Sequence, residues 1–482
     1  MSVWPLIERL GDWQSRRGPL RLRLRDAIAD QILSGGLLEG SRLPSERHLS
    51  QAIAVSRNTV TSAYALLVED GLVEQRRGSG SVVRIDRQNT ARLLRRSREV
   101  EGIFPVAQGG EDGDPIDFCI SSVTLPAAFV DTIAFDANDV AALNRQNAYN
   151  PYGTTALREA IAQTFTKRGL PTGPQEILVT TGGQQAIDLA TRLFVERGDS
   201  VAVESPTYFV GLDTLRAAGA RLHAMPEYDR VKSLREALIH SNARMVYAIP
   251  TLHNPTGRTL SDDERRCIAD ASAQLQVPVV EDVTLENLRY DGEVPKLIAQ
   301  FAPAGNTIVL GSLNKEFWSG LRIGWIRADS GTIARLARLK TAADLTTSLW
   351  SQAVAVRVFE RIDEIRNVRR ADLLAKRRVM ERLLSEHLGD WAFYPAQGGF
   401  CIWARLPVSD ARPFVHLARR FGVRIVSGSA MTIDESCADY VRLVFSSEPH
   451  AIECGITRLR DAWNAFSHYT PNDVHREQSL AV

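Results

Sequence analysis

Apolar residues at helical spacing predict three short helices near the start of the chain. The first covers residues 21–33 and is followed by glycines. The second begins at Ser45, and the third covers residues 57–70 after a Ser56 N-cap. The apolar positions are Leu22, Ile28, Ala29, Ile32 and Leu33 in the first helix and Val60, Ala63, Tyr64 and Leu67 in the third.

A glycine-rich strand pair is predicted after these helices, at residues 72–83. Two short helices joined by a tight turn can place the N-terminus of the second helix in a DNA major groove. A small basic loop between two strands suits the narrower minor groove. The residues expected to contact DNA are Arg47, Arg57, Asn58 and Thr59 on the helices and Arg77 and Gly78 at the tip of the strand pair. The alternative is a three-helix interaction module with surface arginines.

Helical segments alternate with short β-branched runs along the rest of the chain. This alternation predicts an α/β body with a largely parallel sheet wrapped by helices. The expected strands are residues 177–180, 200–203, 245–249, 277–280 and 307–310. In such sheets ligands gather at the carboxyl ends of the strands, and polar signatures follow these runs.

Two of the polar signatures suit a flat, phosphorylated ligand. A glycine turn opens a helix at Gly183 and Gln184, and the free N–H groups and positive dipole end of such a helix form a phosphate cradle. After the next strand, Tyr208 presents a ring that can stack on a flat cofactor. Taken singly, the turn is an ordinary strand-to-helix connection and Tyr208 is a packing tyrosine.

Three further signatures suit the chemistry of a pyridine ring. Asn254, before a Pro-Thr-Gly turn, can hold a phenolate oxygen. The carboxylate of Asp282 can keep a pyridinium nitrogen protonated, as an electron sink requires, or it can cap the next helix. Lys315 offers an amine for a Schiff base, and Ser312 and Arg322 offer a hydroxyl and a guanidinium to a phosphate. Alone, a lysine after a strand is usually solvated.

The charge distribution separates the front of the chain from its body. Residues 1–100 hold 17 Lys/Arg and 11 Asp/Glu, a balance of +6, although the net charge is +1. A basic front favours contact with a polyanion, and chance clustering on a solvated face explains it equally well. The five cysteines are sparse and lack metal-ligand spacing, and no apolar run approaches the roughly 18 residues of a membrane helix. A cytoplasmic protein without a metal site or membrane span is expected.

Two stretches resemble known families. The segment LPSERHLSQAIAVSRNTVTSAYALLVEDGLVEQRRGSGSVV resembles the GntR-type winged helix over its whole length. The order GGQQA, SPTY, HNPTG, ED, SLNK, GLRIG resembles fold-type I pyridoxal 5′-phosphate (PLP) aminotransferases over about residues 117–460. These resemblances imply a winged-helix DNA-binding domain at 1–85 and a PLP-binding domain at 114–482, which combines a mostly parallel sheet with a smaller α+β domain. Residues 86–113, which lack an apolar period, are the expected linker.

The aminotransferase resemblance implies a role for each signature. Lys315 is expected to form the internal aldimine, Asp282 to pair with the pyridine nitrogen and Asn254 to hold the phenolic oxygen. Stacking is implied for Tyr208, and phosphate binding for Gly183, Gln184, Ser312 and Arg322. The segment YVRLVF resembles the one whose arginine receives a substrate carboxylate, here Arg442.

Two departures from the family pattern bear on catalysis. Family members commonly carry a tyrosine two residues after the aspartate, and Thr284 stands there in this chain. The segment YNPYG keeps the Pro-x-Gly spacing of YGDPxG but shifts the aromatic residue. Either Tyr149 or Tyr152 is therefore the candidate to reach the phosphate in a partner subunit. Cofactor binding is expected, and full transamination is left open.

The two domains together resemble the MocR/GabR subfamily of regulators. The resemblance implies a homodimer that binds double-stranded operator DNA and senses PLP, or an amine or amino acid that condenses with PLP. Genes of PLP synthesis or of amine and amino-acid metabolism are the expected targets, with at most slow transaminase chemistry. The main alternative is an active aminotransferase with an incidental winged helix. A regulator that has lost PLP is disfavoured because Lys315, Asp282, Asn254 and Arg322 are all present.

Overall fold

The computed structural model describes residues 4–10, 13–15, 19–33, 37, 39–76, 80–84, 115–226, 231–302, 306–434 and 436–469. The chain divides into two units, which are described separately. Unit 1 comprises residues 1–117, 408–430 and 454–482, and unit 2 comprises residues 118–407 and 431–453. The predicted linker, Arg77 and Gly78 lie outside the described residues.

The N-terminal part of unit 1 has the helices and strand pair of a winged helix. Its described elements are α1 (Trp4–Leu10), α2 (Leu20–Leu33), α3 (Glu46–Ala52), α4 (Arg57–Glu69), β1 (Val73–Arg76) and β2 (Gly80–Val83). The Ser45 side chain accepts a hydrogen bond from the N–H of His48, and the Ser56 side chain accepts one from the N–H of Thr59, each at 3.2 Å. Both predicted N-caps are therefore confirmed. The strands β1 and β2 are antiparallel.

The core of this region contains more than the predicted helical faces. The four inward positions predicted for α4 are buried. In α2, Leu24 is fully buried and Leu22 is only half-buried, because Leu24 lies one turn before Ile28 on the face that packs on α4. The sequence pattern did not predict α1, which joins this core together with the fully buried Trp13.

Unit 2 is built on a seven-stranded sheet in the order β4-β10-β9-β8-β7-β5-β6. The strands are β4 (Ile177–Thr180), β5 (Ser200–Val203), β6 (Arg221–Ala224), β7 (Ala243–Ala248), β8 (Val279–Asp282), β9 (Thr307–Ser312) and β10 (Gly324–Arg327). The helices are α5 (Ala137–Asn144), α6 (Thr155–Lys167), α7 (Gly183–Phe194), α8 (Phe209–Ala217), α9 (Val231–Ser241), α10 (Asp262–Leu275), α11 (Ser330–Asp344), α12 (Leu349–Glu360) and α13 (Ile362–His387).

The five predicted strands are all present, and they confirm a mostly parallel sheet. The strands from β9 through β6 in this order pair in parallel, and the five predicted strands are buried along nearly their whole length. Strand β10, which was not predicted, lies antiparallel between β4 and β9. Its sequence GWIR is too short and too glycine-rich to carry a strand signal of its own.

A smaller antiparallel sheet completes unit 2. The strands that unit 2 contributes to it are β11 (Ala392–Phe393), β12 (Cys401–Arg405) and β15 (Tyr440–Val444), with β12 paired to both β11 and β15. The remaining elements are β3 (Ile116–Asp117), α14 (Arg412–Arg420), β13 (Val423–Arg424), β14 (Val426–Ser427) and α15 (Pro449–Tyr469). In unit 1, β3 and β13 pair in parallel.

Candidate functional site

Several of the predicted cofactor residues lie at one edge of the seven-stranded sheet. Strands β8 and β9 run in parallel and end at Asp282 and Ser312. Strand β10 starts at Gly324, which is paired with both Ser312 and Thr180, the last residue of β4. The turns that follow Thr180, Asp282 and Ser312 therefore meet at this edge, where parallel sheets usually hold their ligands.

Lys315 lies in the turn after β9. Its Nζ donates hydrogen bonds to the Ser121 carbonyl oxygen at 2.5 Å and to the Ser121 Oγ at 2.9 Å. Burial and the nearby positive charges of Arg442 and Arg322 lower the pKa of Lys315 to about 8. The amine is therefore much closer to its neutral, nucleophilic form at neutral pH than an ordinary lysine.

The carboxylate of Asp282 is buried and is held by three donors. The Tyr247 hydroxyl donates to Oδ2 at 2.9 Å, and the hydroxyl and N–H of Thr284 donate to Oδ1 at 2.8 and 3.0 Å. Burial raises the pKa of Asp282, and these hydrogen bonds oppose the shift. Asp282 does not cap the next helical turn, Glu286–Leu288, whose capping residue is Leu285.

Tyr247 is a site residue that the sequence reasoning missed. It stands in the apolar run of β7 and is fully buried, so it looked like part of the core. The available signal was chemical, because a buried tyrosine hydroxyl normally finds a hydrogen-bond partner. Thr284, which replaces the usual tyrosine, serves the carboxylate of Asp282 instead.

The glycine turn before α7 allows a close approach of several side chains. Gly182 has φ +95°, and a Cβ there would lie 2.7 Å from Asn314 Nδ2 and 2.8 Å from an Arg322 terminal nitrogen. A Cβ at Gly183 would lie 3.1 Å from the Thr284 methyl group. Only glycine fits at Gly182, because its left-handed backbone and the crowded space both exclude a side chain.

The predicted phosphate ligands differ in the hydrogen bonds that their side chains already make. Ser312 Oγ donates to the Ile323 carbonyl oxygen, and Arg322 donates to the Thr181 carbonyl oxygen at 2.9 Å while it stays exposed. The side-chain amide of Gln184 donates to Thr214 Oγ1 at 2.6 Å. Gln184 therefore offers its backbone N–H, which as part of the first turn of α7 lacks an intrahelical partner.

Asn254 and Tyr208 follow β7 and β5. No described group makes a hydrogen bond to the buried Oδ1 of Asn254, so this amide end is available to a ligand. Burial and the negative charge of Asp282 raise the pKa of Tyr208 to about 12. The positive charges of Arg442 and Arg322 act on the pKa of Tyr208 in the opposite direction.

Arg442 is a buried cation with unused donors. It lies on β15 opposite Trp403 of β12 and is only 4% exposed. Its side chain makes a hydrogen bond with the Cys401 thiol, whereas Nε and one terminal nitrogen have no partner among the residues that the structure describes. Buried guanidinium N–H groups without acceptors are costly, and a carboxylate that accepts two hydrogen bonds removes that cost.

The two tyrosines of the YNPYG segment have different surroundings. Tyr149 is 71% exposed. Tyr152 packs on the core of unit 2, and its carbonyl oxygen accepts a hydrogen bond from the N–H of Val179 at 3.0 Å. Tyr149 is therefore the one free to reach beyond its own chain.

The predicted DNA-contacting residues of α3 and α4 lie mostly at the surface. Arg47, Arg57 and Asn58 are exposed, and the Arg57 side chain lies 3.5 Å from a Glu46 carboxylate oxygen. The Thr59 hydroxyl is 2.9 Å from the Ser56 hydroxyl, so it belongs to the cap of α4. Arg57 and Asn58 are thus the freer side chains of that first turn.

The described helices include none that is long and apolar enough to cross a membrane. A cavity of about 810 Å³ lies in unit 2 among residues of α6, α12 and the start of α13, and Lys315 does not line it. Two arginines of its lining pair with buried glutamates, Arg168 with Glu286 at 2.5 Å and Arg366 with Glu316 at 2.6 Å. The cavity contains none of the predicted site residues.

Residues 114–459 match the family model for aminotransferase class I and II. The chain belongs to this family. Residues 20–83 match the model for bacterial regulatory proteins of the gntR family, so the two domains have the arrangement of the MocR/GabR subfamily.

Known proteins match most of the chain. The chain is 28% identical over 466 residues to the Bacillus subtilis protein named "Uncharacterized HTH-type transcriptional regulator YisV". The match covers 91% of this chain and 95% of the relative. It is 26% identical to the Rhizobium meliloti protein named "Probable rhizopine catabolism regulatory protein MocR", over 77% of this chain and 78% of that protein. The structure of Pyrococcus horikoshii kynurenine aminotransferase matches 74% of this chain and 92% of its own with a TM-score of 0.66 and 29% identity.

Proposed function

We propose that this protein is a PLP-dependent transcriptional regulator that binds operator DNA through its winged helix and senses PLP or an amine that condenses with it. The observation that carries this proposal is the pairing of a low-pKa lysine with a buried arginine that has unused donors. Lys315 provides an amine to hold an aldehyde, and Arg442 provides two N–H groups for a carboxylate. The best effector class is therefore an amine that carries a carboxylate.

The residues of the site fit PLP. The glycine turn at Gly182 lets the Arg322 guanidinium approach the start of α7, and the buried Oδ1 of Asn254 accepts no hydrogen bond from the described residues. Gly183, Gln184, Ser312 and Arg322 are proposed to hold the phosphate, Asn254 the phenolic oxygen, Asp282 the ring nitrogen and Tyr208 the ring face. When bound, PLP supplies an aldehyde that condenses with amines and a pyridinium ring that accepts electron density.

The DNA-binding part of the proposal rests on the exposed first turn of α4. Arg57 and Asn58 are proposed to reach base edges or groove phosphates, Thr59 to keep the helix start in place, and Arg47 to anchor the backbone. Arg77 and Gly78 are proposed for the minor groove. We propose that the DNA-binding domain covers residues 1–85, the linker residues 86–113 and the PLP-binding domain residues 114–482.

We further propose a homodimer, since operators of winged-helix regulators commonly present two half-sites and one chain carries one winged helix. The exposed Tyr149 is the proposed contribution of each subunit to the phosphate site of its partner. We propose a cytoplasmic location, because the protein must be in the same compartment as the DNA it binds. The five cysteines form no disulfides, which suits the reducing cytoplasm.

An active aminotransferase is the second candidate, because Lys315, Asp282 and Arg442 retain the groups such chemistry needs. A transamination assay with a panel of amino acids and a keto-acid acceptor distinguishes the regulator from the enzyme. Slow turnover across the panel supports a regulator, and fast turnover with many substrates supports the enzyme.

The proposal is tested first on the spectrum of the purified protein with PLP. A near-ultraviolet to visible band and an adduct trapped by borohydride are expected, and Lys315→Ala should lose both. A trapped adduct that persists in Lys315→Ala contradicts the assignment of Lys315. Operator binding measured with and without PLP and an amino acid then tests the regulatory role.

A further inference from the structure

Ser121 contacts the reactive amine although no sequence motif pointed to it. Two different oxygens of this residue accept hydrogen bonds from Lys315 Nζ, the carbonyl oxygen at 2.5 Å and Oγ at 2.9 Å. The aromatic ring of Phe400 lies below this contact, with its centroid 6.0 Å from Nζ. These contacts define the position of the amine.

The segment around Ser121 is fastened on both sides. The Phe118 carbonyl oxygen accepts a hydrogen bond from the N–H of Val444, two residues beyond Arg442 on β15. Val123 exchanges two hydrogen bonds of 2.9 Å with Ser319, which follows the Lys315 turn. Because both ends are tied to elements that carry the candidate site, we expect Ser121 to keep its position when Lys315 moves away from it.

A free lysine amine and a lysine bound to a carbonyl carbon differ in the hydrogen bonds they can donate. The ammonium form has three N–H donors, whereas a nitrogen double-bonded to carbon carries at most one proton. The two Ser121 oxygens thus match the free amine and not the bound one. We propose that Ser121 is a positioning residue that receives Lys315 when an amine effector displaces it from PLP, an inference that rests on the proposed function.

The exchange conserves atoms and charge. The effector nitrogen forms a double bond to the aldehyde-derived carbon of PLP, and the bond between that carbon and Lys315 Nζ breaks. The two protons of the neutral effector amine end on Nζ, which leaves as a neutral primary amine and takes a third proton from solvent. Ser121 stabilises a product of this exchange and not its reactant, so it shifts the equilibrium toward the effector-bound state.

The test is a titration of the full-length, PLP-loaded protein with methylamine, followed by the absorbance of the cofactor. Methylamine lacks a carboxylate, so the readout does not involve Arg442. Ser121→Ala removes one of the two acceptors and should raise the methylamine midpoint about threefold to tenfold. The dissociation constant of PLP should stay the same or fall, because the free lysine loses a stabilising bond. Ser121→Thr keeps the hydroxyl and should behave as the wild type.

Ser122→Ala, at the exposed neighbouring serine, is the matched control and should leave both quantities unchanged. If Ser121→Ala does not fold, Ser121→Cys replaces the hydroxyl by a poor acceptor of similar size and should give the same rise. An unchanged midpoint overturns the inference, and so does a parallel loss of PLP affinity, which marks a merely structural role. A wild-type protein without a cofactor band overturns the proposed function as well, whereas a normal band with an unchanged variant midpoint overturns this inference alone.

Discussion

The charge state of Lys315 sets the pH range in which the protein can capture PLP. Only a neutral amine adds to an aldehyde, and burial together with Arg442 and Arg322 brings the pKa of Lys315 down to about 8. The capture rate should therefore rise about tenfold per pH unit below pH 8 and level off above it. With an ordinary lysine, the capture rate would keep rising up to about pH 10.4. Stopped-flow absorbance on cofactor-free protein measures this, and a rate still climbing at the alkaline end contradicts the shift.

Asp282 is the residue whose loss should weaken cofactor binding most directly. Asp282→Ala removes the carboxylate proposed for the ring nitrogen, so the affinity for PLP and the spectral response to amino acids should both fall. Tyr247→Phe deletes one donor to that carboxylate and should cost less, about 1–3 kcal/mol in PLP binding. PLP titrations monitored by absorbance compare the two variants. Equal affinities in wild type and Asp282→Ala would exclude a contact with the ring.

Arg442 should distinguish amino acids from simple amines. Arg442→Gln removes the charge that suits a carboxylate, and the midpoint concentration for L-amino acids should rise roughly 10- to 150-fold, which corresponds to about 1.5–3 kcal/mol of binding free energy. The midpoint for methylamine should change much less, because only the effect of Arg442 on the pKa of Lys315 remains. Parallel titrations with L-alanine and methylamine provide the comparison. Equal shifts for both ligands would show that Arg442 does not bind the carboxylate.

At the scale of elements, helices α3 and α4 are expected to make two different kinds of DNA contact. Arg57 lies at its exposed first turn, and Arg47 lies on α3. Arg57→Ala should lose a base contact worth about 1–3 kcal/mol of binding free energy. The difference in affinity between operator and random DNA should therefore become smaller. Arg47→Ala should weaken both DNAs alike and lower the salt slope by about one unit. Titrations against operator and scrambled duplex at several salt concentrations measure both effects. No change in either variant at any salt would remove the winged helix as the DNA reader.

The elements themselves differ in how readable they were from sequence. Strands β4 and β5 were predicted with their observed bounds, because β-branched runs between helices leave little choice of limits. Helix α4 was predicted to within one residue, because Ser56 and Gly71 mark its ends. Helix α1 and strand β10 were not predicted, since each is short and gains its stability from packing against other elements, α1 against α2 and β10 between β4 and β9.

At the scale of the whole molecule, the proposed dimer makes a geometric demand on DNA. Two winged helices per dimer should require two half-sites, so a duplex with one half-site should bind much more weakly. Moving one half-site by about five base pairs turns it to the opposite face of the duplex and should have a similar effect. Sedimentation should give twice the chain mass of 53.3 kDa. A 53.3 kDa species that binds a single half-site at full affinity would contradict the dimer.

The sequence by itself determined the two-domain plan, the family of each domain and the identity of most candidate site residues. It could do so because these features depend on local signals: caps, apolar period and short motifs at strand ends. Tertiary structure decided which groups surround each motif residue. The Tyr247 hydroxyl on Asp282, the Ser121 oxygens on Lys315 and the unused donors of Arg442 come from chain segments 35 to 194 residues apart or from burial itself. No local pattern encodes such contacts, because they exist only once the sheet has brought its strand ends to one edge.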